Sequence, residues 1–362
     1  MSERPNKLGP SIWSVSDGRA GNAAQTRAVI DALSETHRWM RIGHITGEGH
    51  RNDPITLTPR PPWIWLPTVH WPLPRFSLPG VQANLLKGPY PTVWIAAGRR
   101  SAAFTKSVRQ WSKGQTLTVQ ILDPKSDPSL FDMVIAPEHD QLAGENVVQT
   151  VGSPTHFAHE SIEMAGQAFA NLADEPGKSV IVVLGGDSKA HKFTEEDADR
   201  LETELERVSR LGHRLRITTS RRTPLGIVAR IRAFADQIGA QFWSGPADGP
   251  NPYLGWLLYS DAAIVTEDSA NMLSDAAWHG LPIHIARLTG SSPKFDRFHQ
   301  QLIDRKCARW FDGSIDFWTY EPLREADRVA DAIIAALLER HPQPDLGSEE
   351  SDKTAWPEWM SG

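Results

Sequence analysis

A single cysteine, Cys307, stands among 362 residues. That scarcity excludes an internal disulfide and any cysteine-cluster metal site. Cys307 lies in a basic stretch, Asp304-Arg305-Lys306-Cys307-Ala308-Arg309, and is expected as a half-buried structural thiol. No apolar run approaches the ~20 residues needed to span a bilayer. The opening decapeptide, MSERPNKLGP, is polar with no apolar run behind it, so no signal peptide is expected. A large excess of basic charge is also lacking. The formal net charge is -6, which argues against a dedicated nucleic-acid binder. These absences lead to a cytoplasmic protein, or one resting on the inner face of a membrane. The P-loop spacing, the GxSxG elbow and the HExxH helix are all missing, which removes P-loop NTPases, esterases of that type and zinc peptidases. Glu138-His139-Asp140 offers one histidine between two acids, too little for a metal centre, and no metal is expected.

What is present is an ordinary globular composition, 40% hydrophobic and 23% charged. The length suits two domains better than one core. Apolar strands alternate with helices along the chain. In the first half, strands are expected at Ile12–Val15, Thr92–Ala97, Leu117–Leu122 and Met133–Ala136, with a helix over Ala23–Leu33. In the second half, strands are expected at Ser179–Leu184, Arg214–Thr218, Gln241–Trp243 and Ala262–Val265, with helices over Thr194–Leu211 and Leu225–Ile238. The fold class is therefore α/β, with two Rossmann-like doubly wound domains facing a cleft. The expected layout is 1–172 for the first domain and 179–324 for the second, with a hinge near Ala173–Lys178. A helix, Glu325–Arg340, would strap the domains together, and a polar tail, 341–362, would be disordered.

The clearest unit is SDAAIVTEDSANMLSDAAWHGLPIHIA, Ser260–Ala286. A strand ends in Thr266-Glu267-Asp268-Ser269, a helix runs to Gly280, and a strand restarts at Pro282. Asp268 or Ser269 is a suitable N-cap. A helix start at the carboxyl ends of parallel strands is suited to an anion. Asn271 and Asp275 are four residues apart and share a face. Asp275 is placed to accept hydrogen bonds from a ribose diol, or else to serve as a solvated acid on the helix face.

Two neighbouring strand ends carry Gly185-Gly186-Asp187-Ser188-Lys189 and Arg221-Arg222. Glycines admit a phosphate to the backbone, Ser188 and Lys189 add donors, and paired arginines suit a diphosphate. On the opposite wall, Ser16-Asp17-Gly18-Arg19-Ala20-Gly21-Asn22 follows the first strand, and Arg99-Arg100 follows another. Asp17 is the best-placed general base for an acceptor hydroxyl. Ser16, Gly18, Arg19, Asn22, Arg99 and Arg100 would line the acceptor side. Asp123 is a further candidate.

Pro59–Val81, PRPPWIWLPTVHWPLPRFSLPGV, breaks the alternation with seven prolines, which exclude a regular helix. Trp63, Trp65 and Trp71 either pack onto the first domain or form an aromatic patch for a membrane surface or a lipid-linked acceptor.

SDGRAGNAAQ, QILDP, APEHD, TSRRTP and TEDSANMLSDAAWHGLP together resemble the mitochondrial fission Elm (elongated mitochondria) family of plants and proteobacteria, over roughly Ile12–Leu338. That family is itself similar to glycosyltransferases of the GT-B fold. The run Ser274–Pro282 is similar to the donor helix of the transferase that adds N-acetylglucosamine to a lipid-linked peptidoglycan precursor. There a glutamate binds the nucleotide ribose; here the position holds Asp275, one methylene shorter. The resemblance implies a transferase using a nucleotide-diphosphate sugar, with no cofactor required and a lipid-linked or envelope glycan as acceptor. Gly185, Gly186, Ser188, Lys189, Arg221, Arg222, Glu267, Asp268, Ser269, Asn271 and Asp275 would hold that donor. It also implies two alternatives. One is a non-catalytic adaptor, since plant members are described as recruiting a dynamin-like protein to the outer mitochondrial membrane. The other is a sugar-nucleotide epimerase, which shares the fold.

Overall fold

The computed structural model describes residues 11–35 and 51–340. The tail expected to be disordered after His341 lies outside the described residues. The first half forms a parallel six-stranded sheet from β1 (Ile12–Ser16), β2 (Arg51–Thr56), β3 (Val93–Ala97), β4 (Leu117–Ile121), β5 (Met133–Pro137) and β6 (Val147–Thr150). Their order is β2-β1-β3-β4-β5-β6. Helices α1 (Ala20–Glu35), α2 (Gly80–Leu85) and α3 (Ala102–Trp111) connect them. The next helix, α4 (His159–Ala168), leads to the second half.

There a second parallel sheet is built from β7 (Ser179–Leu184), β9 (Arg214–Thr219), β10 (Gln241–Trp243), β11 (Ala262–Thr266), β12 (Ile283–Ala286) and β14 (Ala308–Trp310). The order β10-β9-β7-β11-β12-β14 places the chain's reversal between β7 and β11. A small antiparallel pair, β8 (His191–Lys192) and β13 (Thr289–Gly290), flanks it. The helices here are α5 (Glu195–Arg210), α6 (Leu225–Ile238), α7 (Tyr253–Leu258), α8 (Ala270–His279) and α9 (Pro293–Asp304). The central strands read as unbroken apolar runs, SVIVVL and AAIVT, because helices cover both faces of a parallel sheet. Every residue of β7 and β11 is buried.

The passage between sheets differs from expectation. Val151, Phe157, Phe169 and Leu172 already belong to the second sheet's core, so the chain crosses at residues 151–158. α4 lies with α7: the Tyr259 hydroxyl donates to the Gly166 carbonyl at 2.9 Å, and Gly255 leaves room for the Phe169 ring. Ala173–Lys178, expected as a hinge, follows that crossing and is mostly exposed. Glu175 pairs with Arg214 and with the buried Arg216, each at 2.8 Å.

The last helix, α10 (Glu325–Arg340), returns to the first sheet. Its apolar stripe of Ala326, Val329, Ala330, Ile333, Ile334 and Leu337 joins Val29 and Leu33 of α1 in one core. Glu325 accepts the Val151 N–H at 3.1 Å and Arg328 at 2.6 Å, which fastens α10 to the crossing segment. Among the described residues, no helix is long and apolar enough to cross a membrane.

The proline-rich segment divides its tryptophans. Trp71 is 6% exposed, packs edge-on against Phe104 at 5.8 Å, and donates its indole N–H to the Leu66 carbonyl. Trp63 is half-buried and donates to the Pro72 carbonyl at 2.7 Å. Trp65 is 74% exposed. Trp71 is therefore a core residue and no part of a surface patch. Trp71→Ala is expected to cost about 3–5 kcal/mol. Trp65→Ser is expected to change stability by no more than about 0.5 kcal/mol. Urea midpoints at constant slope measure both. Cys307 is buried, and burial pushes its thiol up to about 11.

Candidate functional site

The reversal falls between β7 and β11, and the loops that follow these two strands meet at the carboxyl edge of the second sheet, the edge where open α/β sheets hold ligands. Asp268 organises this edge. Its side chain is fully buried; one oxygen accepts from Thr266 Oγ1 at 2.7 Å, and the other from the Gly186 N–H at 3.0 Å and Arg222 Nη2 at 2.7 Å. Thr266 Oγ1 in turn accepts the Gly185 N–H at 2.7 Å. A Cβ on Gly185 would lie 2.0 Å from Asp268 Oδ1, and one on Gly186 would lie 2.2 Å from the Arg222 carbonyl oxygen.

This corrects the expectation for the glycine loop. The two glycines admit a carboxylate and a neighbouring backbone, and their N–H groups are spent on Asp268 and Thr266 rather than turned to a phosphate. Ser188 is likewise engaged, its hydroxyl accepting the Ala190 and His191 N–H groups. Glu267 is buried and engaged on the β12 side. Its carboxylate takes the Leu288 N–H at 2.6 Å, and burial raises its proton affinity. Lys189 and Arg221 are exposed at the rim. Arg222 keeps 41% of its side chain exposed while paired with Asp268.

Ser269, not Asp268, caps α8: its hydroxyl accepts the Met272 N–H at 3.5 Å. Gly280, in the left-handed region at φ 74°, ends the helix. Asn271 and Asp275 share a face, as their spacing predicts. Asn271 Oδ1 accepts from Ser153 Oγ at 2.6 Å and from Gln25 Nε2 at 3.1 Å. Gln25 belongs to α1, so the first turns of α1 and α8 meet across the cleft. Gly21 lets them do so, because a Cβ there would stand 2.7 Å from Asn271 Nδ2.

Asp275 is half-buried and accepts from the Tyr253 hydroxyl at 3.0 Å and from Thr155 Oγ1 at 3.2 Å. Burial pushes its carboxyl up to about 6, against the two hydrogen bonds that favour ionisation. It opens on a cavity of about 170 Å³, roughly the room of five or six waters. Ala24, Gln25, Thr155, His156 and Asn271 also line it.

On the first wall, Asp17 follows β1. Its Oδ1 accepts from Asn22 Nδ2 at 2.8 Å and from the Arg19 N–H at 3.3 Å. Gly98, at φ 96°, closes over this pair; a Cβ there would lie 2.6 Å from Asp17 Oδ2 and 2.4 Å from Asn22 Nδ2. Asn22 is buried beneath Asp17, and the buried Ser16 hydroxyl accepts the Gly18 N–H at 3.3 Å. Arg19, Arg99 and Arg100 are exposed. α1 starts at Ala20, three residues before the sequence pattern indicates, so Asn22 and Gln25 are helical. Through them α1 links Asp17 to the shell of Asp275.

Asp123 is bonded by Lys125, through its N–H at 2.7 Å and its ammonium at 2.5 Å. Glu138 faces Arg305, and Asp140 faces Lys294. Burial drives the proton from His139, down to about 4. Among the described residues, no group of His, Cys, Asp and Glu is arranged to hold a metal ion.

Gln25, Ser153, Thr155 and Tyr253 were not singled out from sequence. Gln25 stands one turn beyond Gly21 in a segment already marked as a helix, which was the available signal. Ser153 and Thr155 lie in an aperiodic crossing that carries none.

A family model described as "Mitochondrial fission ELM1" matches residues 20–337. The mitochondrial fission protein ELM1 of Arabidopsis thaliana is 28% identical over 289 residues, covering 71% of this chain and 67% of that protein. An uncharacterised protein of Rickettsia prowazekii is 28% identical over 365 residues, covering 90% of this chain and 98% of its own length. Among solved structures, a UDP-GlcNAc 2-epimerase from Neisseria meningitidis, crystallised with UDP-GlcNAc, aligns with TM-score 0.50 and 12% identity over 91% of this chain and all of that one. This likeness speaks to the fold alone. With its paired parallel sheets and a family match over nearly all the described residues, the chain belongs to the mitochondrial fission ELM1 family and has a GT-B-like fold.

Proposed function

We propose that the cleft binds a nucleotide-diphosphate sugar and transfers the sugar to an acceptor hydroxyl. The observation that carries this reading is Asp275, a half-buried carboxylate, raised to about 6, on a cavity lined by α1, the crossing segment and α8. A carboxylate kept there against its desolvation cost calls for hydroxyl donors, and a ribose diol supplies two. The Ser269 start of α8, with Lys189, Arg221 and the exposed part of Arg222 on the same sheet edge, supports diphosphate binding. Those positive groups would stabilise the departing nucleotide diphosphate. Asp17 takes the acceptor proton on Oδ2, since Asn22 and Arg19 both bond Oδ1. The acceptor class is a lipid-linked or envelope glycan, met by a cytoplasmic protein resting on the inner face of the membrane.

A second reading, a recruitment protein on a transferase scaffold, is favoured by one observation. The glycine-loop N–H groups and Arg222 are already committed to Asp268 and Thr266. Calorimetry with nucleotide diphosphates and their sugars, followed by product analysis, separates the two. We expect binding, then release of nucleotide diphosphate when a glycan acceptor is added. No binding to folded protein by any of them overturns the transferase reading. Binding without turnover favours recruitment, and an isomerised sugar formed with no acceptor identifies an epimerase.

A further inference from the structure

Between Asp53 and Asp123 the chain carries no Asp or Glu over 69 residues, yet it carries eight Arg and Lys. The whole chain has 44 acids against 38 Arg and Lys, so this stretch runs against the overall balance. The same stretch holds half of the large apolar side chains that are exposed among the described residues. Trp65, Leu66, Leu73, Phe76 and Val81 fall within seventeen residues, and Phe76 and Val81 are 70% and 80% exposed.

These tips are held out by anchors beneath them. The Trp71 and Trp63 indoles tie the backbone at Leu66 and Pro72. Short 3-10 turns at Trp63–Trp65, Thr68–His70 and Pro74–Ser77 carry the chain between prolines. Fixed proline φ angles reduce the ordering cost of using such a surface. Arg60, Arg75 and Lys87 are interspersed with the tips along the chain. The Arg60 N–H bonds the Ser77 carbonyl at 2.8 Å, which sets Arg60 beside Phe76. The Arg75 guanidinium stacks 4.4 Å over Trp111 and reaches the Leu86 carbonyl, next to the exposed Lys87.

We propose that this face docks on an anionic phospholipid surface. Trp65, Leu73, Phe76 and Val81 enter the boundary between headgroups and acyl chains, and Arg60 and Lys87 meet lipid phosphates. A stretch of chain with cations and no acids suits a surface of one sign, which a membrane presents and a protein rim of mixed polarity does not. The aliphatic tips do not stack on bases, which disfavours single-stranded nucleic acid. The surface deepens the membrane placement of the proposed acceptor and depends on no part of the nucleotide cleft.

Co-sedimentation of the full chain with vesicles tests this. One set is pure phosphatidylcholine; the other contains about a third phosphatidylglycerol. Partition onto the anionic set is expected to exceed the neutral set by about tenfold or more and to fall with added salt. Trp65→Ser with Phe76→Ser should lower it by about tenfold. Arg60→Glu with Lys87→Glu should lower it by about fivefold per cation and flatten the salt dependence. Circular dichroism checks folding, and nucleotide calorimetry on the same variants should be unchanged. No partition by the wild type, equal partition onto both sets, or an unaffected Trp65/Phe76 variant overturns the proposal. So does retention by a polynucleotide or a protein partner without vesicle binding.

Discussion

Asp275→Asn is expected to stabilise the folded chain at neutral pH while weakening nucleotide binding. Burial holds the folded carboxyl at about 6, against an ordinary value of 3.8. Below about pH 4, folded and unfolded chains both carry the proton and the site costs nothing. Between about pH 4 and 6 the unfolded chain gives up its proton while the folded chain keeps it, so rising pH favours unfolding. Above about pH 6 the full penalty applies, at most about 3 kcal/mol for a shift of this size. Asparagine removes the charge but pairs less well with the Tyr253 and Thr155 hydroxyls, leaving a net gain of about 1–2 kcal/mol. Melting temperatures should therefore rise for the variant at pH 7.5 and match the wild type at pH 4. Equal stability at both pH values would place the carboxyl at its ordinary value. Calorimetry should show nucleotide affinity at least about tenfold lower, the loss of charge-assisted bonds to a diol. Hydroxyl donors favour the ionised carboxylate, so wild-type affinity should fall as pH drops through about 6. A stability gain paired with a binding loss is the mark of a residue kept for a ligand.

Arg222→Ala is expected to destabilise more than Asp268→Ala, although Arg222 sits 41% exposed and resembles a surface residue. Removing Arg222 leaves a carboxylate with no exposed surface and no counter-ion, which costs about 3–5 kcal/mol. Removing Asp268 strands a guanidinium that water can reach. What remains is the loss of hydrogen bonds from Gly186 and Thr266, about 1 kcal/mol each. The double variant should cost less than the sum, because neither charge is left behind. Urea midpoints for the three variants decide the order. If Arg222→Ala is the milder single change, the pair does not hold this sheet edge together.

The strands were legible because a sheet covered on both faces leaves no alternation to blur. SVIVVL falls where its run indicates, and the edge strand Gln241–Trp243 does so as well although it is only partly covered. β2 and β6 were not, being a proline-containing segment and a short run, VVQT, that stays half open to solvent. Glycine announced close approach at Gly185 and Gly186, but a missing Cβ does not say what approaches. There it is Asp268 and a backbone carbonyl, not a phosphate. The Asn271–Asp275 face followed from helical spacing. Its partners did not, since Gln25, Ser153, Thr155 and Tyr253 come from separate segments that only the tertiary fold assembles. In the proline-rich segment no period separates inward from outward tryptophans, and Trp71 was therefore grouped with Trp65.

The return of α10 to the first sheet sets an order of assembly during synthesis. β7 to β14 are contiguous, and the core around them can close once the chain through Leu323 has emerged from the ribosome. The core beneath β1, β3 and β4 stays uncovered until Ala326 to Leu337 have been made. The half of the chain made first is thus completed last, with its apolar face open to chaperones, or to aggregation, through most of translation.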